Sequence, residues 1–430
     1  MMESQEKLKI NIYPPEIEIT EQNKETIHIK INENFTNNSN SENIYQNLLA
    51  GNANYQPILQ KHKENLISSL DKLISASTIN PNKEFHLEKT FQCHDLPLSK
   101  IYFTHKGDYF LTCSYDGNAY LWNRKTGEIK YKIKNHANTI NSVVFTKDDK
   151  LLLTGSFDSL AMLFDAENGI RIKTFEGHKE EIVEVKMNKE ENKFCTASMD
   201  LTSKIFDIEE GKCILTLLGH NDVVSKCSFN IEGNKVLTGS YDKTCKIFDI
   251  NNGSILFDFT EHSKEISNCF FYPLDNNIII STSLDGLCKI YDIRNNSQSI
   301  MTFDDHNKNE ILCSTISSSG KYLATGGGDH IVNVYDLTQM KKIFSLEGHN
   351  KEIYSLDFTH DNDTKYLLSG DGLGECRIWD MKNGECKQII ESAEETEIIA
   401  SNFNEKNSDI LIADVDNNVR LFTNEIPVNY

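Results

Sequence analysis

The sequence predicts an all-β fold: an eight-bladed β-propeller, with seven blades as the alternative, preceded by a small N-terminal α+β domain. Three observations carry this. Seven histidines, His94, His136, His178, His220, His262, His306 and His349, recur at spacings of 42, 42, 42, 42, 44 and 43 residues, and ~40–45 residues is the length of a four-stranded blade. An aspartate follows each of the first six by 22 or 23 residues: Asp116, Asp158, Asp200, Asp242, Asp285 and Asp329. Between these markers lie short β-rich runs separated by Asn, Asp and Gly turns, an all-β signal.

Residues 1–84 are not a repeat. Lys7 to Ile12, Glu16 to Thr20 and Thr26 to Ile31 each alternate apolar and polar residues, which reads as a small β-meander. The Asn/Ser-rich stretch 32–40 reads as a loop, and Leu66, Ile67, Leu70, Leu73 and Ile74 recur at helical spacing, giving a helix from about Ile58 to Ser75.

Residues 85–430 form the ring. Repeat four shows its texture: Val223 to Asn230, Asn234 to Ser240, Thr244 to Asp249 and Ser254 to Thr260 are four successive strands. Six residues after each aspartate stands an aromatic (Trp122, Phe164, Phe206, Phe248, Tyr291, Tyr335), and four before it a hydroxyl (Thr112, Thr154, Thr196, Thr238, Ser281, Thr325). An aspartate in the tight turn can accept from backbone N–H groups and from the histidine, and the hydroxyl can bridge the histidine to a Trp indole. The periodic histidines and aspartates are therefore structural. In repeat seven the position six before Trp379 is Leu373, so Gly370–Gly374 should form an irregular turn. An eighth repeat lacks its histidine, but Asp416 stands six before Phe422 and should join the same network. That repeat stops at its third strand. Phe85 to Gln92 should supply the fourth and close the ring, leaving no unpaired sheet edge.

These residues resemble the WD-repeat family: the Gly-His pairs Gly177-His178, Gly219-His220 and Gly348-His349, and the terminal Trp379-Asp380. The resemblance runs from Phe85 to about Phe422.

The formal charge of -20 disfavours nucleic acid and anionic membrane surfaces and favours basic protein partners. No apolar run approaches the ~20 residues of a membrane span, and the N-terminus lacks a signal-peptide pattern, so the chain is expected inside the cell. Eleven cysteines occur without a C-x-x-C motif and fall at recurring strand positions, which reads as reduced, structural thiols rather than disulfides or metal ligands. No phosphate-binding, zinc-protease or nucleophile-elbow motif is present. No catalytic residue, cofactor or metal is expected.

One pattern is not explained by the repeat network. An acid precedes the isoleucine that opens the first strand of five repeats: Glu181, Glu265, Glu310, Glu352 and Glu397. Equivalent positions on a ring lie at equivalent radii, so these carboxylates should form an acidic arc around one channel mouth, suited to a basic partner or else paired with Lys179, Lys264 or Lys351.

The N-terminal run Leu8-Lys9 through Tyr13-Pro14-Pro15-Glu16-Ile17, with Phe85-His86-Leu87 and His94-Asp95-Leu96-Pro97-Leu98, resembles the dynein assembly factors with WD repeats. That resemblance implies a monomeric adaptor with two grips, one for an intraflagellar transport train subunit and one for the outer-arm dynein complex. It would work in the cytoplasm and the cilium or flagellum, including the basal-body region. The cleft between N-terminal domain and ring would be one grip. Tyr291-Asp292-Ile293-Arg294 supports an alternative, a substrate receptor of a cullin-type ubiquitin ligase; a general scaffold is the coarser reading.

Overall fold

A computed structural model describes the backbone of three N-terminal strands and residues 84–92, 94–295, 298–391 and 396–424. The chain divides into two compact units, Met1–Lys83 and Glu84–Tyr430. In the first, Lys7–Asn11, Glu16–Thr20 and Thr26–Lys30 form an antiparallel meander, with Ile10 opposite Ile17 and Ile17 opposite Ile29. The expected 32–40 loop and Ile58–Ser75 helix lie outside the described residues.

The second unit contains eight four-stranded antiparallel sheets, so the ring has eight blades, not seven. Blade 1 is Leu98–Phe103, Tyr109–Ser114, Ala119–Asn123 and Ile129–Ile133. Blade 8 takes Ile398–Phe403, Asp409–Asp414 and Asn418–Thr423 from the end of the chain and His86–Gln92 from its start. The closing strand pairs Val419 with Phe91 and Phe422 with Leu87. Phe85 lies just outside it, buried against Phe403 and exchanging two backbone hydrogen bonds with the Gln388 amide.

Each blade's second strand is almost wholly buried, as Leu151–Ser156 illustrates, because both of its faces meet neighbouring blades. The fourth strands are the most exposed. Adjacent blades touch chiefly through their innermost, first strands. Every first strand carries a register shift near its start, such as that between Ile182 and Glu184. This bulge keeps Ile182 and Val185 in the core although they are three residues apart. It turns the side chains of Glu184 and Lys186 away from that core.

The turn after the second strand repeats in all eight blades. In blades 1 to 6 the aspartate opens it, and the next residue has a left-handed backbone: Gly117 at φ 75° in blade 1 and Gly286 at 83° in blade 5, but Ser159, Leu201, Lys243 and His330 at 65°, 67°, 74° and 66° in the others. A non-glycine residue pays about 1–2 kcal/mol there. The offset is local: one aspartate oxygen accepts the N–H two residues on, as in Asp200 with Thr202 at 3.0 Å.

Among the described residues ten cysteines are free thiols; Cys213 is exposed, Cys313 and Cys386 are partly buried, and the rest are buried.

Candidate functional site

The repeat histidines lie between a carboxylate and a hydroxyl. Nδ1 is 2.9 Å from Asp116 in His94, 2.8 Å from Asp158 in His136 and 2.7 Å from Asp200 in His178. It is 2.8 Å from Asp242 in His220, 2.9 Å from Asp285 in His262 and 2.9 Å from Asp329 in His306. Nε2 of each histidine meets Thr112, Thr154, Thr196, Thr238, Ser281 or Thr325. In blade 1 the Trp122 indole N–H donates to Thr112 Oγ1 at 3.1 Å. This leaves that hydroxyl to donate to His94 Nε2, and the His94 Nδ1–H to Asp116. Burial holds the His94 pKa below its ordinary value, consistent with a neutral ring.

The order hydroxyl, imidazole, carboxylate is that of a hydrolase triad. Here it cannot act as one, because Thr112, Thr154, Thr196, Thr238, Ser281 and Thr325 are all wholly buried and no substrate can reach them. Desolvation pushes the Asp285 carboxyl up, but hydrogen bonds from His262 and the Ser263 and Leu287 N–H groups outweigh it and bring it down to about 2. The network is closed and holds the turn to the blade.

Blades 7 and 8 depart from the spacing rule. In blade 7 the carboxylate is Asp371, eight residues before Trp379, and its Oδ2 lies 3.1 Å from His349 Nδ1. Asp371 occupies the strand end where blade 1 has Ser114. It accepts the N–H groups of Leu373 and Glu375, which orders the turn expected to be irregular. Ser369 receives the Trp379 indole at 2.8 Å and meets His349 Nε2 at 2.6 Å, so this network is complete. His349, Asp371 and Glu375 also bring three ligand-type atoms within 4.8 Å of one another. Arg377 already pairs with Glu375 there, so a second cation would meet a guanidinium.

In blade 8 the assignment of Asp416 is corrected. Asp416 is exposed, and among the described residues its carboxylate makes no hydrogen bond or ion pair, while its N–H donates to Asp414 Oδ1 at 3.1 Å. The repeat has no histidine for the exposed Asp416 carboxylate to hold. Asp414, fully buried at the strand end, takes the role and pairs at 2.8 Å with Arg420.

The five glutamates occupy one backbone position. The carbonyl of each accepts an N–H from the turn of its own blade: Met199 to Glu181, Leu284 to Glu265, Gly328 to Glu310, Gly372 to Glu352 and Val415 to Glu397. They therefore ring the same end of the innermost strands. Glu310 and Glu397 are exposed and the other three half-buried. Among the described residues only Glu310 makes an ion pair, with Lys264 of the preceding blade at 3.1 Å; Lys179 and Lys351 pair with none of the five. Beside Glu397, Tyr354, Tyr115, Pro97 and Val415 line a cavity of about 490 Å³ spanning blades 7, 8 and 1.

The isoleucine after Glu265, Glu352 and Glu397 has a structural task that the sequence reading missed. Ile266, Ile353 and Ile398 seat Cγ2 against Gly239, Gly326 and Gly370 of the preceding blade, where a Cβ would stand only 2.8 Å away. The recurrent Thr-Gly-Ser ending of the second strand was the available signal. Arg294 is exposed but held by Asp292 at 2.7 Å and Asp275 at 3.2 Å.

The family model of the neurobeachin β-propeller domain matches residues 96–388. The chain is similar to the U3 small nucleolar RNA-associated protein 15 homolog of Xenopus tropicalis, 35% identical over 78 residues, 18% of this chain and 15% of that protein. It is similar to WD repeat-containing protein 91 of Gallus gallus, 36% identical over 62 residues, 14% of this chain and 8% of that one. It also resembles cell division control protein 4 of Saccharomyces cerevisiae, 35% identical over 83 residues, 18% and 10% respectively. The chain thus spans no more than 15% of the length of these relatives. Among solved structures, the computationally designed Ika8 protein matches with TM-score 0.68 and 23% identity over 77% of this chain and 97% of that one.

Proposed function

Because the chain belongs to the WD-repeat β-propeller family, we propose that it is a non-catalytic protein–protein adaptor, linking outer-arm dynein cargo to intraflagellar transport trains for import into cilia. The fold is one that typically serves as a scaffold, and the triad-like groups of the described repeats are sealed in the blades. The observation that carries the binding role is the arc of Glu181, Glu265, Glu310, Glu352 and Glu397 at one rim, four of them without a counter-ion among the described residues. Uncompensated like charges at one mouth favour a basic partner. The cavity lined by Tyr354 and Tyr115 lies beside it. The choice of partners, a transport-train subunit and the outer-arm dynein complex, rests on the resemblance of the N-terminal run and the His94–Leu98 segment to the dynein assembly factors, as does the ciliary location.

The test is a tagged pull-down from a ciliated cell with partners identified by mass spectrometry, repeated with Glu181, Glu265, Glu310 and Glu352 all changed to Gln. Recovery of transport-train subunits and outer-arm dynein, with one of them lost in the variant, supports both the adaptor role and the arc. Recovery of both irrespective of the variant keeps the adaptor and discards the arc. Recovery of ubiquitin-ligase subunits, lost on Arg294→Ala, replaces the adaptor with the cullin receptor.

A further inference from the structure

Below the acidic rim the innermost strands of blades 1, 3 and 4 carry lysines. Lys100, Glu184 and Lys226 take the same step on the innermost strands of blades 1, 3 and 4, two residues after the buried Leu98, Ile182 and Val224. The bulge in each strand places them there. Lys186 follows two residues beyond Glu184.

Glu184 is the shared counter-ion. Its Oε1 lies 3.9 Å from both Lys186 Nζ and Lys226 Nζ, and its Oε2 accepts the Cys227 N–H at 2.9 Å. Lys100 has no hydrogen bond or ion pair among the described residues. Burial lowers its pKa to about 8, and the Lys226 and Lys186 ammonium groups push the same way. Two amines from adjacent blades thus share one carboxylate, with Lys100 of blade 1 at the equivalent step of its own innermost strand, in a chain whose formal charge is -20. The side chains of Lys186 and Lys226 keep 49% and 30% of their exposure, so the cluster is wet and reachable. Positive charge gathered on a partly enclosed wall attracts an anion that neutralises it.

We propose that Lys100, Lys186 and Lys226 form a channel site for a small, multiply charged phosphate anion of the pyrophosphate class. Ammonium groups approach from separate directions and bind as point charges, which suits the spread oxygens of a phosphate. The group contains no guanidinium fork to select a planar carboxylate. Glu184 keeps Lys186 and Lys226 in place when the site is empty, and a bound anion supplies the charge that Lys100 lacks.

The experiment is calorimetric titration of the full chain with inorganic pyrophosphate at neutral pH, alongside acylation of lysines with an amine-reactive reagent read by mass spectrometry. Binding is expected. Lys100→Met and Lys226→Met should each weaken it at least about tenfold, while Lys150→Met on the outer surface should not. Lys100, the amine with the lowered pKa, should acylate faster than Lys150 and be protected by pyrophosphate. Circular dichroism and melting temperature show whether each variant is folded. If a variant fails to fold, protection of Lys100 in the unaltered chain still decides. Absence of binding and protection at millimolar pyrophosphate overturns the site. So does equal weakening by Lys150→Met, or binding of a glutamate-rich peptide in place of pyrophosphate.

Discussion

Ile266 sets its Cγ2 only 2.8 Å from where a Cβ on Gly239 would stand, so blade 5 keys into a hole that exists because blade 4 has glycine there. The Cys269 Sγ closes the same hole at 3.1 Å. A β-branched isoleucine has little rotamer freedom to withdraw. Gly239→Val should therefore destabilise the ring by about 1–3 kcal/mol, read as a fall in the urea midpoint with the slope unchanged.

Asp285 predicts a pH effect of the usual carboxylate sign. Its carboxyl sits at about 2 in the folded chain, below the unfolded value of about 3.9. The stabilisation is present above that unfolded value and is lost as pH falls toward about 2. Asp285 is 4% exposed, and Asp285→Asn should remove on the order of 2 kcal/mol at neutral pH. The variant's stability should then vary less than the parent's across that acid window.

Asp357 predicts the opposite sign. Burial raises its carboxyl to about 6, against the nearby His360 and the Phe403 N–H bond that favour the charged form. A raised carboxyl loses stability as pH climbs from about 4 to about 6, because the unfolded chain gives up its proton first. Asp357→Asn keeps an oxygen for the Phe403 N–H. It should stabilise the chain at pH 7 by on the order of 1–3 kcal/mol and flatten the pH profile in that window.

Arg420 and Asp414 stand in for the missing histidine network of blade 8, at 12% and 0% side-chain exposure. Arg420→Met leaves a buried carboxylate uncompensated and should cost about 3 kcal/mol or more. The double variant with Asp414→Asn should recover part of that loss in a denaturation double-mutant cycle.

Leu201, at φ 67°, is 39% exposed and holds a left-handed turn position that Gly117 fills in blade 1. Leu201→Gly should leave the melting temperature unchanged or raise it, the relief of about 1–2 kcal/mol of backbone strain opposing glycine's greater freedom when unfolded.

The histidine spacing made the blades legible, because a hydrogen-bonded turn tolerates little change in length. The eighth blade was legible from Asp409–Asp414 and the orphan strand before His94. Asp371 and Asp414 were not. Counting six residues back from the aromatic finds the place where blades 1 to 6 hold their carboxylate, but the end of the second strand points into the same space. A carboxylate there reaches the histidine, or an arginine, equally well. The glutamates of the rim were found by repetition alone. Lys100, Lys186 and Lys226 were missed, because a bulge breaks the two-residue alternation that would have marked their side of the strand.

The pairing of Val419 with Phe91 has a consequence in time. A chain synthesised from its N-terminus holds His86–Gln92 without a partner while seven blades form behind it. The last pairing must close the longest loop in the unit, the slowest kind of contact to make. Until then one sheet edge at each side of the gap is open to other chains. The seam between Asn418–Thr423 and His86–Gln92 is thus both the last joint to set and the first that hydrogen exchange should find opening.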